Sequence, residues 1–278
     1  MIKAIVVITR PINVLISMLS VYLGGVISFD MYYSNDLLLA CLSAGLIAGY
    51  GNICNDIYDI ETDRKSKPFR PLVLGQITIK QAAFLTFILA MIGILLALTV
   101  NKTCLLIASI VSIALLVYTP IFKGRGYWGN LLISAVSAFA FFYGAAAVGN
   151  LFGGIIPAVF AFLFHFIREI VKDMEDYEAD KACNVQTGAV KYGFAVSTKL
   201  AIVMILLLIF ATLIPGLFRI YGPIYLIIVL AGTDIFLLYF IIRLLSKPDK
   251  ATYRFIAGSM KAVMPLGIIA VFIGSRGW

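Results

Sequence analysis

Charge is scarce in this sequence. Only 13% of its 278 residues are Asp, Glu, Lys or Arg, against about 25% in an ordinary soluble domain. Histidine is scarcer still: His165 stands alone, which excludes a metal site built from several imidazoles. The four cysteines, Cys41, Cys54, Cys104 and Cys183, are scattered. They show neither metal-ligand spacing nor a disulfide framework, and three lie in or beside apolar runs, so they are expected to be small packing residues. The opening MIKAIVVITRP lacks a small-residue cleavage pattern and is expected to lead into the first apolar span rather than to be removed. What fills the sequence is apolar: 62% by count, with a mean hydropathy of +1.02. That excludes a soluble globular protein. Only helices or closed barrels satisfy the backbone in lipid, and apolar runs this long argue for helices. The expectation is an all-α polytopic membrane protein, a single transmembrane domain over 1–278. The net charge of +8 is no nucleic-acid signal, because it comes mainly from loops on one side of the bilayer.

Nine apolar spans are expected, at roughly 11–29, 36–55, 81–100, 103–121, 128–148, 151–168, 197–218, 223–245 and 258–274. Placing the N-terminus inside puts nineteen Lys and Arg residues inside and three, Lys102, Arg219 and Arg276, outside. The bias of cytoplasmic loops toward Lys and Arg sets that orientation. Spans two and six then both run outside to inside. The pattern reads as two four-helix halves repeated in parallel orientation, with a ninth helix added at the end.

The charge that remains is concentrated. Asn55 to Asp63 reads NDIYDIETD. Steps of three and four residues return to one helix face, so Asp56, Asp59 and Asp63 line up, and Asn55, Asp59 and Asp63 form an overlapping row. Asp173, Asp176 and Asp180 in KDMEDYEAD repeat the spacing. Like charges on one stripe repel unless something strongly positive sits among them, and a hard divalent cation with oxygen ligands fits best. An acidic stripe can also be a merely solvated face. Two of them, each at the end of a long apolar span on the same membrane side, argue for a shared site.

Cations surround both stripes. The first runs straight into RKSKPFRPL, with Arg64, Lys67 and Arg70, and Pro68 and Pro71 stop the helix. Arg70, between two prolines, is pre-positioned to hold a phosphate, with Lys67 second. Arg168, Lys172 and Lys181 flank the second stripe, and Lys172 has the spacing to pair with Asp176 on a helix. Arg10 and Asn13 open span one on the same face, and Tyr118, Lys123 and Arg125 close span four there. Tyr118 is also a fitting interfacial aromatic and Arg10 a fitting snorkelling anchor. His165, one turn from Glu169, is read first as a core histidine and second as a base. Asp234 lies near the middle of span eight. A carboxylate there costs about 2.5–3.5 kcal/mol on insertion scales, so it should face the bundle interior with a polar partner.

Facing carboxylate stripes with a basic fringe suit Mg²⁺-bound diphosphate, and the apolar spans below them suit a lipid tail. Such a clamp stabilises charge on a departing diphosphate, leaving an allylic carbocation for a nucleophile to capture. The motifs N-D-x-x-D-x-x-x-D at 55–63 and D-x-x-D-x-x-x-D at 173–180 closely resemble the two signatures of the UbiA superfamily of intramembrane prenyltransferases. The resemblance covers essentially the whole chain. NDIYDIETDRKSKPFRPL and REIVKDMEDYEADK look most like the archaeal ether-lipid branch. It implies a UbiA-like nine-helix bundle in the cell membrane with its active site on the cytoplasmic face. It also implies transfer of a geranylgeranyl group from an isoprenoid diphosphate donor to the hydroxyl of a glycerol-phosphate lipid acceptor, geranylgeranylglyceryl phosphate. Carried over by position, Asn55, Asp59, Asp63, Asp176 and Asp180 would bind Mg²⁺–diphosphate, with Asp56 and Asp173 in or beside that shell. Tyr118 and Lys123 match the family's Tyr–Lys motif, which commonly has three intervening residues where this chain has four.

Two other readings stay open on the sequence. An aromatic acceptor, a quinone, haem or chlorophyll precursor, would use the same donor site but would not need so many cations. A cation transporter would carry its acids in mid-span, broken by Gly or Pro, and only Asp234 fits that.

Overall fold

A computed structural model describes residues 2–29 and 33–277. Among the described residues it contains nine helices long and apolar enough to cross a membrane and no β-strand. A short α1, Ile2–Ile8, leads into α2, Pro11–Phe29, and α3, Asn35–Tyr58. A further turn, α4 at Ile60–Ser66, follows. Then come α5 (Ile79–Val100), α6 (Lys102–Val117), α7 (Trp128–Ala147), α8 (Ile155–Ala182) and α9 (Gly188–Leu217). The eighth span is built from α10, Pro223–Val229, and α11, Ile235–Ser246, joined by a π turn at Leu230–Asp234. Helix α12, Lys250–Ser275, is last.

Local chemistry sets several boundaries. Ser34 caps α3 through Leu37 N, and Thr78 and Gln81 form a reciprocal capping box on α5. Asn101 and Asp249 accept from the first-turn amides of α6 and α12. The apolar stretches are expected to end at 168 and to resume at 197; α8 runs on to Ala182, and α9 opens at Gly188 with a short turn that breaks at Gly193 (φ 83°, ψ 168°) before the long apolar helix. The α8 extension is polar, so hydropathy cannot see it.

Two large apolar clusters hold the bundle. One is built from α2, α3, α5, α6 and α7, around Val21, Tyr50, Ala97, Ile107 and Tyr143. The other is built from α8, α9, α11 and α12, around Ile167, Ile170, Ile205, Phe240 and Met260. Helices α2 and α7 cross in backbone contact. A Cβ on Gly144 would stand 1.8 Å from the Val21 carbonyl oxygen, and one on Gly24 2.3 Å from that of Phe141. Only glycine permits that approach, the usual device where lipid provides no hydrophobic drive for helix association. Buried hydroxyls supply the polar glue: Tyr143 donates to Ser43 at 2.8 Å, and Ser43 in turn to the Gly93 carbonyl at 2.7 Å.

Asp234 has the partner the sequence could not name. It is buried in the π turn, and both its oxygens lie 3.2 Å from Thr212 Oγ1 on α9. The carbonyl of Thr212 accepts from the Tyr225 hydroxyl at 2.7 Å.

Candidate active site

The C-terminal ends of α3 and α8 and the N-terminal end of α2 open on one cavity of about 640 Å³. The first acidic stripe spans a slight break, where α3 ends and Asp59 sits at φ −87°, ψ 5° before α4. The ladder nevertheless continues, Asp59 N to Asn55 O, Asp63 N to Asp59 O and Lys67 N to Asp63 O, at 2.8, 2.8 and 2.7 Å. Asn55, Asp59, Asp63 and Lys67 therefore keep one face, and all four line the cavity. The second stripe lies on unbroken α8, which turns His165, Arg168, Glu169, Lys172, Asp173, Asp176 and Asp180 to the same space. Lys67 Nζ stands 4.0 Å from both Asp63 and Asp176, bridging the two motifs.

The Tyr–Lys segment is explained by its backbone. Residues Tyr118–Phe122 form a π turn, in which Lys123 N donates to Tyr118 O at 2.8 Å. A π turn absorbs one extra residue while keeping the two ends of the segment on one side. Both Tyr118 and Lys123 line the cavity. The segment is docked on the first motif twice, by Thr119 Oγ1 to Asn55 Oδ1 at 2.8 Å and by Lys123 Nζ to Asp59 Oδ1 at 2.7 Å. Burial alone would pull the Lys123 ammonium down, but Asp59 outweighs it and holds its pKa above the ordinary lysine value. Lys67 goes the other way, lowered by burial and by the nearby charge of Lys172. Burial pushes the Asp63 carboxyl up, against the opposing pull of Arg70 and Lys67.

One sequence candidate, Asp56, sits behind the site rather than in it. Asp56 is buried outside the cavity wall and accepts from both Arg10 and Arg70. It orients two arginines that do line the cavity. Arg70 also donates to Asp63 at 2.6 Å, so two carboxylates hold its guanidinium. Arg10 has a backbone φ of 53°, a conformation that L side chains adopt only when their surroundings impose it. Asn52 holds the preceding peptide, donating to the Thr9 carbonyl at 2.8 Å. Asp173 lines the cavity, but its Oδ2 accepts from Asn130 at 3.0 Å and from the Gly188 amide at 3.3 Å, tying α7, α8 and α9 together. Gly188 must be glycine there, because a Cβ would come 2.1 Å from the Tyr127 ring.

Arg64, Arg125 and Lys181 are not brought to the cavity. Arg64 pairs with Glu61 in solvent, Arg125 is exposed on its loop, and Lys181 lies over the Tyr177 ring. Asn13 is in the lining. Lys172 pairs with Glu169 Oε2 at 3.8 Å rather than with Asp176. The sequence reading gave no site role to Asn130 or Lys261, both of which line the cavity. Asn130 offered no signal, being one amide at the start of a span. Lys261 offered little more, standing near the inner end of the last apolar span.

Among the described residues no three acidic groups converge into a ready-made metal cage. Their side chains are engaged by Lys67, Arg70 and Lys123 instead. The donor set is nonetheless all oxygen, from Asn55, Asp59, Asp63, Asp176 and Asp180 around one space. That suits Mg²⁺, which binds through few protein carboxylates and keeps waters and phosphate oxygens in its shell. Deeper in, the lining becomes apolar, with Ile47, Val111, Leu115, Val136, Phe139 and Ala140.

A nine-helix bundle with two carboxylate motifs facing across one membrane-embedded cavity defines the class, and residues 13–264 match the UbiA prenyltransferase family. The chain belongs to that family. A digeranylgeranylglyceryl phosphate synthase from Saccharolobus solfataricus is 35% identical over 98% of this chain and 97% of its own length. The solved structure of a digeranylgeranylglyceryl phosphate synthase superposes with a TM-score of 0.82 at 30% identity, covering 100% of this chain and 99% of that one. A UbiA homologue from Archaeoglobus fulgidus, bound to GPP and Mg²⁺, shares the fold at a TM-score of 0.75 and 20% identity, over 98% of this chain and 99% of that one.

Proposed function

We propose that this protein transfers the geranylgeranyl group of geranylgeranyl diphosphate to the free hydroxyl of geranylgeranylglyceryl phosphate. The products are digeranylgeranylglyceryl phosphate and diphosphate. One observation carries the reading: Asp59 and Asp63 from one motif and Asp176 and Asp180 from the other line a single cavity, with Lys67 between them, above an apolar chamber. The full-length likeness to synthases of that name supports the acceptor. The concentration of Lys and Arg on one side of the membrane supports a cytoplasmic site.

Asn55, Asp59 and Asp63 on one wall and Asp176 and Asp180 on the other would hold Mg²⁺. When bound, the ion neutralises charge on the diphosphate leaving group. Lys67 and Lys123 are placed to donate to diphosphate oxygens once the ligand draws them from Asp63 and Asp59. Asp56 keeps Arg10 and Arg70 aimed into the cavity. The apolar lining receives the prenyl chain and keeps water from the allylic carbon. Cleavage of the C1–oxygen bond leaves the electron pair on diphosphate and a delocalised cation at C1. The acceptor hydroxyl adds to C1, and its acidified proton passes to water or a cavity carboxylate.

The test is incubation of the purified protein in nanodiscs with labelled geranylgeranyl diphosphate, Mg²⁺ and a panel of acceptors. Labelled ether lipid should form with geranylgeranylglyceryl phosphate. Preferential labelling of an aromatic acceptor would replace this reading with a quinone-type prenyltransferase.

A further inference from the structure

The cavity has more cations than its carboxylate motifs use, and they fall into two neighbouring groups. Lys67, Arg70 and Lys123 sit among the acidic stripes and are paired with them. Arg168, Lys172 and Lys261 form a separate group. On α8, Lys172 and Arg168 precede Asp176 by one and two turns, about 6 and 12 Å along the axis. Lys261 reaches the same space from α12, within electrostatic range of Arg168, Lys172, Glu169 and Arg10.

These three cations share one carboxylate. Glu169 accepts from Arg168 at 2.7 Å and lies 3.8 Å from Lys172, while no carboxylate lies within ion-pair distance of Lys261 among the described residues. Arg168 also keeps a buried Nε with no hydrogen-bond partner. An orphaned, buried guanidinium donor is costly. An anion that visits the cavity offsets that cost and also gives Lys261 a partner. Within ion-pair distance three cations thus stand against one carboxylate, an excess of positive charge that suits a phosphate monoester at about −1.5 to −2.

We infer that Arg168, Lys172 and Lys261 form a second anion site, which holds the phosphate monoester of the acceptor beside the diphosphate site. The assignment rests on the prenyl-transfer reading above and deepens it. Arg70, the phosphate ligand expected from sequence, has its guanidinium held by Asp56 and Asp63. In geranylgeranylglyceryl phosphate the attacking hydroxyl is on the carbon next to the one bearing the phosphate ester. The phosphate must therefore bind next to the reacting centre without entering the diphosphate clamp. A cationic group one to two turns along α8 from Asp176 meets that constraint.

The experiment compares the unaltered protein with Lys261→Met and Arg168→Gln. It measures binding of geranylgeranylglyceryl phosphate, of uncharged geranylgeranylglycerol and of Mg²⁺–geranylgeranyl diphosphate in nanodiscs of neutral lipid, followed by turnover. Lys261→Met removes a charge from an apolar helix without loss of bulk, so the fold should persist, and Lys261→Arg should retain binding. Each charge-removing variant should weaken the phosphorylated acceptor by about tenfold or more, the scale of one charge-assisted hydrogen bond. Affinity for the uncharged lipid and for the donor should change less than about twofold. Equal losses for all three ligands, or no loss for the phosphorylated one, would overturn the site, as would an unaltered protein that binds both acceptors equally. Phosphate-selective binding without turnover would leave the anion site standing and remove the catalytic reading instead.

Discussion

The amide of Lys123 donates to the carbonyl of Tyr118, five residues back, at 2.8 Å. That single π-type bond keeps Tyr118 and Lys123 both in the cavity wall despite one residue more than the family spacing. It also sets Lys123 Nζ 2.7 Å from Asp59.

Lys123→Met should therefore abolish a donor contact and unpair Asp59 together. We expect kcat/KM for geranylgeranyl diphosphate to fall about 100-fold or more, the scale of losing one charged donor aimed at a leaving group. Lys123→Arg should recover part of it. The pairing with Asp59 raises the folded-state pKa, so its contribution to stability is complete below the unfolded value and is lost as pH rises through the folded one. The Tm gap between unaltered protein and Lys123→Met should hold at neutral pH and narrow only above about pH 10.5. A gap that closes near pH 8 would contradict the pairing.

Asp59→Ala and Asp176→Ala come from opposite walls of the cavity. Each removes one oxygen ligand candidate, and each should reduce turnover by about 100-fold or more with less than a few degrees of change in Tm. Raising Mg²⁺ should restore part of the rate in either variant. Near-normal turnover of one of them would mean that only a single motif handles the diphosphate.

The sequence revealed the nine spans because apolar runs near the length of a bilayer leave little choice. It revealed the two acidic stripes because helical spacing decides which residues share a face. Hydropathy ends the sixth span at 168, and only the spacing of Asp173, Asp176 and Asp180 carries the helix on toward Ala182. The sequence left Asp56 undecided, in the metal shell or beside it. Asp56, Asp59 and Asp63 look alike in sequence, yet Arg10 and Arg70, from 46 and 14 residues away, take Asp56 out of the cavity wall. Lys261 counted only as one more positive charge inside, because nothing local shows that α12 turns it toward Arg168.

Arg70→Ala should behave as a structural lesion as well as a functional one. It strips cationic partners from Asp56 and Asp63, both buried. We expect a loss of about 3 kcal/mol in stability and a fall in kcat/KM for donor and acceptor alike. A selective rise in KM for geranylgeranylglyceryl phosphate with unchanged Tm would instead place the acceptor phosphate on Arg70.

Orientation is testable with single cysteines. Gln76 and Lys181 are exposed near the first and second motifs, and among the native cysteines only Cys183 is not buried. In a Cys183→Ser background, Gln76→Cys and Lys181→Cys should both react with an impermeant maleimide in inside-out vesicles and neither in intact cells. Labelling of either from outside would invert the topology.

Asp234 provides the contrast that separates a costly charge with a structural role from one that serves chemistry. An ionisable residue inside a membrane span is a functional candidate by default. Yet Asp234 is 2% exposed, does not line the cavity, and is engaged by Thr212 Oγ1 at 3.2 Å from both its oxygens. It lies in the π turn joining α10 to α11, and the Thr212 carbonyl in turn holds Tyr225. The network fastens α9 to the π turn between α10 and α11. Thr212→Val should leave the carboxyl group without its partner and cost about 1–3 kcal/mol, the desolvation penalty of one orphaned polar group. Asp234→Asn keeps a group that can bond Thr212 and should cost much less. Neither change should alter KM for either substrate, because no atom of the network reaches the charged cavity. A variant at Asp234 with unchanged Tm and lowered kcat would show instead that this carboxyl group takes part in the reaction.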